Sequence, residues 1–424
     1  MLTASSCPPG PNTPLDPRVR RLERRLYAYA GLEDFVLLYP LYALLFAEHG
    51  LSTAEISSLF AIWCVVGLLV EVPSGVWADV VSRRAVLVVG PVLTACGFAL
   101  WALTPSYAAY AAGFTLWAIG GSLRSGSMEA LVHDELDRLG AAGRYGRIMG
   151  RAAAVSMAAT ATATAAAAPA LAFGGDTLVW AGSIAACLLC AAVGATLPEH
   201  RAAVHHEHAE RPGYIGTLKD GLTEVRGSLP VRRAMVLAVV ITSVWGVLDE
   251  YVPLLAASTG VATETVPLLV LVLVVWVGVT LGSLLVGPGE RLADRTVAAL
   301  VAAAAAALAA GALSGVPAGF VLLGAAFGAF QLADVLADVR LQSAITGRSR
   351  ATITSLTGLG TNIASLLGFG AYAALSPFVS HGAVFALLAL PYLAVAAALG
   401  RSRRPAPAPA GGILAARSGA GRGR

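Results

Sequence analysis

Glu33 and Asp34 stand side by side in an otherwise apolar stretch, LYAYAGLEDFVLLYPLYALLF. An ionisable residue inside a bilayer costs roughly 2.5–3.5 kcal/mol on insertion scales, so each one is a functional candidate. Both lie about 8 residues past Arg25, on the order of 12 Å deep along a helix. The chemistry they offer is uptake and release of a proton. Adjacent helical residues point about 100° apart, so at most one is expected to face a central cavity squarely. The alternative role is an ion pair with Arg124, the one basic residue well inside an apolar segment. Arg124 is equally placed to pair with Glu71 or to hold an anionic group. Glu129, Asp249, Glu250 and Asp334 complete the set of cavity or ion-pair candidates, and Gln331 and Asn362 are candidate cavity hydrogen-bonders. Tyr29, Tyr39 and Trp63 fit a cavity wall or a lipid-facing surface equally well.

The elements that must position these residues are membrane helices. The chain has 424 residues, 57% hydrophobic and 13% charged, with mean hydropathy +0.73. Soluble domains carry roughly 25% charged residues. Twelve apolar stretches are expected to cross, near 26–47, 55–78, 85–103, 107–128, 148–173, 178–197, 234–257, 266–287, 296–313, 319–338, 351–374 and 383–400. Each is close to the 20 or so residues a bilayer requires. Six of the connections carry no Lys or Arg, and the basic residues cluster in the others. Positively charged connections stay inside, which predicts that both termini are cytoplasmic.

The expected fold is therefore an all-α integral membrane protein of two six-helix bundles. It comprises a cytoplasmic tail (1–25), a first bundle (26–197), a central cytoplasmic loop (198–233), a second bundle (234–400) and a Pro/Gly/Ala/Arg-rich tail (401–424). The N-terminus lacks an apolar core followed by a small-residue cleavage site, so no signal peptide is expected. The net charge of +4 reflects the inside bias and attraction to anionic lipid, not nucleic-acid binding. No phosphate loop or nucleophile elbow is present, which argues against a nucleotide partner, ATP drive and enzymatic chemistry. Cys187 and Cys190 form a C-x-x-C in mid-span, and His200, His205, His206 and His208 crowd the central loop. Neither group brings the four-ligand set that zinc needs, so no metal and no cofactor are expected.

The turn after the second stretch reads EVPSGVWADVVSRRAVL. It resembles the inner-loop signature of the major facilitator superfamily, through Gly75, Asp79, Arg83 and Arg84, with Ser82 where that signature has glycine. The resemblance extends over the whole expected topology. It implies a gate in which Asp79 meets the inner start of the eleventh crossing near Arg350, while Arg83 binds an acid at the inner end of the fourth, Asp134. The competing reading of these charges is a solvated positive loop. Two features depart from proton antiporters of the family. Phe114 stands where many carry an Arg, and the fifth crossing has only the late Pro169 in place of a Gly-Pro signature.

The reading that follows is a monomeric secondary transporter of a bacterial inner membrane, working by alternating access. Its partners are a small-molecule substrate, protons and membrane lipids. Proton-coupled efflux of a drug-like or secondary-metabolite compound, amphipathic or cationic in view of the acid excess, is the leading form. The alternatives are an uptake carrier for a metabolite and a non-transporting receptor or scaffold.

Overall fold

A computed structural model describes residues 16–80, 82–200, 225–259, 265–289, 292–344 and 350–400. Among the described residues there are helices and no strand. The first helix, α1 (Pro17–Asp34), starts earlier than the expected span. Asp16 caps it by accepting from the Arg18 N–H at 2.8 Å, and Pro17 occupies the first turn, where its missing N–H costs nothing. Val19, Leu22 and Leu26 share a buried cluster with Leu131, Val132 and Leu136 of α6 (Ser127–Arg138), so part of the expected tail is packed core.

The first crossing is not one helix, contrary to expectation. It stops at Asp34 and resumes as α2 (Tyr42–Glu48). Pro40, inside the break, cannot donate a backbone hydrogen bond. The Leu38 N–H donates to Ser183 Oγ at 3.1 Å, the kind of partner that irregular backbone needs at membrane depth.

Next come α3 (Thr53–Val80), α4 (Arg83–Leu103), α5 (Tyr107–Arg124), α6 and α7 (Tyr145–Ala195). The 51 residues of α7 are two passes. Ser156 Oγ donates to the Ala30 carbonyl at 3.3 Å, and Cys190 Sγ to the Tyr29 carbonyl at 3.6 Å. A straight helix would put those donors about 50 Å apart, so the chain doubles back between them. Gly175 makes the bend with φ +58, a backbone region that favours glycine.

The second half comprises α8 (Leu229–Asp249), α9 (Val252–Ser258), α10 (Thr265–Leu284), α11 (Asp294–Leu313), α12 (Gly319–Ala344), α13 (Arg350–Leu375), α14 (His381–Leu388) and α15 (Leu390–Gly400). Nine segments among the described residues are long and apolar enough to cross a membrane, one of them the two-pass α7. The molecule is a multi-pass membrane protein.

Within the first half, α7 packs on α1 and α4, and α5 on α3 and α4. In the second half, α12 packs on α8, α10 and α11. The contact between α10 and α12 is backbone to backbone. A Cβ on Gly278 would lie 1.9 Å from the Gly324 carbonyl oxygen. Small residues supply this close approach where lipid provides no hydrophobic drive. The halves meet through α3 with α13, α7 with α10, and α2 with α9.

Candidate functional site

One face of the molecule carries the arginines and is called here the basic face. Arg83 pairs with Asp134, and the Arg83 N–H donates to Glu199 at 2.9 Å, fixing the start of α4. Arg144 pairs with Glu23 at 3.1 Å, and Arg340 with Asp294 at 3.2 Å. Glu135 accepts from Arg138 at 2.9 Å, from the His200 N–H at 2.8 Å and from His200 Nδ1 at 2.9 Å. Burial pushes the Glu135 carboxyl up, but these hydrogen bonds outweigh it and hold it below the usual carboxylate range. Arg84 is exposed. The side chains of Glu71, Gly75 and Asp79, and the Arg350 side chain expected to face Asp79, lie outside the described residues, as do His205, His206 and His208. Among the described residues no group of His, Cys, Asp and Glu is arranged to hold a metal ion.

The opposite, bare face is closed by contacts between the halves. The Tyr42 hydroxyl of α2 donates to the Glu250 carboxylate, just past the end of α8. The Ser57 and Tyr251 hydroxyls lie 2.6 Å apart. Phe60 packs its ring against Tyr251 and Phe369, at 5.6 and 5.3 Å between centroids. Tyr251 stacks flat on Tyr372, whose hydroxyl meets His381 Nδ1 at 2.8 Å. None of these partnerships was anticipated from sequence. Tyr42 and Glu250 are 208 residues apart, and nothing local marks either for the other.

Beneath that closure lies a cavity of about 390 Å³. The Tyr42 ring packs edge-on, at 6.1 Å, against Trp117, which lines that cavity. Tyr39, Trp63, Trp117, Glu33, Asp34, Arg124 and Asn362 are among its walls. Arg124 and Glu33 are in direct charge contact, with the guanidinium Nε facing the carboxylate but not aligned for a hydrogen bond. Asp34 has no ion pair or hydrogen bond among the described residues, although it lines the same space. Sequence reasoning allowed at most one of the two acids to face a cavity squarely. Both line it, from the last turn of α1.

Helix ends explain the charges. Arg124 is the last residue of α5, where the helix dipole favours a cation. Glu33 and Asp34 end α1, where the dipole disfavours anions. That local conflict is retained at the cavity wall, where Arg124 alone opposes both acids and touches Glu33 directly.

Most of the remaining candidates do not line the cavity, although Glu129 lies near enough to act on the Glu33–Arg124 pair. Glu129 sits in the first turn of α6, a favourable place for an acid, with one oxygen buried and no hydrogen-bond partner among the described residues. Asp334 accepts from the Thr242 hydroxyl. Asp249 ends α8, half-buried. Gln331 is half-buried in α12 and does not line this cavity. Asn362, Tyr39 and Trp63 are cavity residues, and Tyr29 is core, donating to the Leu87 carbonyl at 3.0 Å. Trp117 was missed. Its signal was its spacing, seven residues or about two turns before Arg124 on the same helix face.

The architecture has close counterparts among solved structures. A mutant form of the nucleoside transporter NupG superposes with TM-score 0.73 at 13% identity, over 89% of this chain and 98% of that one. A D-xylose-proton symporter gives 0.65 at 14%, over 90% and 96%. The POT family transporter PepTSo gives 0.68 at 13%, over 91% and 97%. At such identities the likeness shows the fold alone. No curated protein matches the chain. The sequence profile of the Major Facilitator Superfamily matches residues 27–331. The match covers more than half of the sequence and includes the cavity-bearing first half, so the chain belongs to the Major Facilitator Superfamily and is a transporter, not an enzyme.

Proposed function

We propose that this protein exports a small drug-like or secondary-metabolite compound across a bacterial inner membrane, driven by proton influx. Twelve crossings form two six-helix bundles, with both termini in the cytoplasm. The basic face is then cytoplasmic. Sealed at the bare face, the structure corresponds to a cytoplasm-facing form of an alternating-access cycle, in which the two bundles rock about a midplane cavity. The gate signature of Gly75, Asp79, Arg83, Arg84 and Asp134 would close the cytoplasmic side in the other form. The working unit is a monomer.

The observation that carries the coupling is the Glu33–Arg124 contact in the cavity wall. Glu33 has two mutually exclusive partners, a proton and the Arg124 guanidinium. A proton arriving from the bare face neutralises Glu33 and frees Arg124. Its release to the cytoplasm restores the pair. Glu33 is thus the coupling carboxylate.

The test is proton movement in inverted vesicles with an acid interior, challenged with a panel of amphipathic cations and neutral drugs. Substrate-triggered proton release that Glu33→Gln abolishes is the expected result. A transport signal that persists without a proton gradient would replace export by antiport with a facilitated or uptake carrier.

A further inference from the structure

Three features of the cavity point the same way. The first is charge. Two acids, Glu33 and Asp34, share one cation, Arg124; Glu33 is in direct contact with it, and Asp34 makes no ion pair or hydrogen bond among the described residues. The second is the backbone. α1 ends at Asp34 and α5 at Arg124, so the negative ends of two helix dipoles converge on the space. Helix C-terminal ends are a recurring way to hold cations in transporters with broken helices. The third is the wall. Tyr39 and Trp117 lie nearly parallel, 5.5 Å apart at 10°, and Trp63 leans on Trp117 at 5.9 Å. Trp63 is 37% exposed, so part of its ring is uncovered beside the cavity. An aromatic face attracts cations through its quadrupole, more strongly away from water.

We propose that this cavity takes a compact organic monocation with a planar ring, its charge held by Asp34 and the end of α1 and its ring lying against Trp63 and Trp117. The inference rests on the reading of this cavity as the transport site and adds the substrate class to it. A volume of about 390 Å³ is near the lower end of ligand pockets, which suits two or three fused rings. One net negative charge in the wall selects a single positive charge. Divalent metal ions are disfavoured, because Asp34 is the one unpaired carboxylate in the lining among the described residues.

The test is equilibrium binding to the purified full-length protein in detergent, at neutral pH and with no membrane gradient. Three probes share one bicyclic ring and differ in charge: N-methylquinolinium, 1-methylnaphthalene and naphthalene-1-sulfonate. Radiolabelled N-methylquinolinium is expected to bind, and the sulfonate to compete at least about a hundredfold more weakly. Asp34→Asn, nearly isosteric, should weaken cation binding about tenfold or more, and Trp63→Ala several-fold, with recovery in Trp63→Phe. Glu33→Gln removes one of the two wall acids and leaves Arg124 free to act on Asp34, so it too should weaken cation binding. Glu55→Gln, exposed and outside the cavity lining, should leave binding within about threefold. Equal affinity for the neutral and cationic probes overturns the inference, as does unchanged binding in Asp34→Asn. Binding is read without protons or vesicles, so it separates from the coupling proposal. A cation that binds but releases no protons in vesicles sinks antiport and leaves the substrate class standing.

Discussion

The first half supplies Glu33, Asp34, Arg124, Tyr39, Trp63 and Trp117 to the cavity, and among the described residues the second half supplies Asn362. The second half keeps its acids away from that space. Asp334 is satisfied by Thr242, and Glu250 holds Tyr42 at the bare face. Its α10–α12 contact is backbone to backbone, where a Gly278 Cβ would lie 1.9 Å from the Gly324 carbonyl oxygen. That is closer than the Gly90–Gly120 approach of α4 and α5 in the first half, where the corresponding distance is 2.8 Å. On the proposed reading, one half carries the charged lining of the cavity, while the other packs more tightly and supplies a latch partner. A carrier that binds mostly on one bundle can rock the other across it without dismantling the site.

The rigidity of the second half is the easiest part of that contrast to break. Gly278→Val would drive side-chain carbon into the Gly324 carbonyl, where a Cβ already lies at 1.9 Å. Overpacking of this kind costs about 1–3 kcal/mol, and more where the opposing atom is backbone. The thermal midpoint in detergent should fall by several degrees, with the yield of folded protein. Gly121→Ala, at the cavity in the first half, has nothing within 4 Å and should leave the midpoint unchanged or slightly raised. Equal losses in both variants would erase the distinction between a packed half and an open one.

The latch is the next contrast. Tyr42→Phe removes the hydroxyl that Glu250 accepts and keeps the ring contacts. Hydrogen bonds to charged groups contribute about 1.5–3 kcal/mol. The equilibrium should shift roughly tenfold or more toward a form open at the bare face. Cys64, buried at the cavity, serves as the reporter once Cys96, Cys187 and Cys190 are replaced by alanine. A membrane-impermeant maleimide applied from the bare side should label it faster in Tyr42→Phe than in wild type, and Glu250→Gln should behave likewise. Unchanged labelling would assign the closure to the Phe60–Tyr251–Phe369 aromatic contacts instead.

Much of this organisation was visible in the sequence, for a physical reason. A bilayer imposes length, hydropathy and charge asymmetry on each segment separately, so spans and their polar intruders can be read one at a time. Glu33, Asp34, Arg124 and Asn362 stood out because a polar group in lipid is costly. What escaped was everything requiring two distant segments. The partner of Glu250 is a tyrosine 208 residues away in another helix. The break after Asp34 was also hidden, because the segment through Phe46 is apolar enough to pass for one helix. Its only marker was Pro40. Trp117 was overlooked because a tryptophan in a span serves lipid, core or cavity equally well until its neighbours are known.

The smallest expected effect lies on the basic face, where the first half ties its helices together with charge. Glu135 gathers Arg138 and His200, and its carboxyl titrates below the usual range. A depressed folded-state pKa contributes stability that is complete above the unfolded value, about 4.3. That contribution fades as pH falls through the folded pKa. Wild type should therefore lose thermal stability below about pH 4 more steeply than Glu135→Gln, while at neutral pH the variant should be modestly the less stable. The two melting curves should converge on acidification. Arg84→Ala, on an exposed side chain of the same face, should leave both limbs of the profile where they are. Parallel profiles for wild type and Glu135→Gln would mean that the cluster holds its helices by shape alone. The charged first half would then be no more dependent on its ion pairs at this face than the glycine-packed second half.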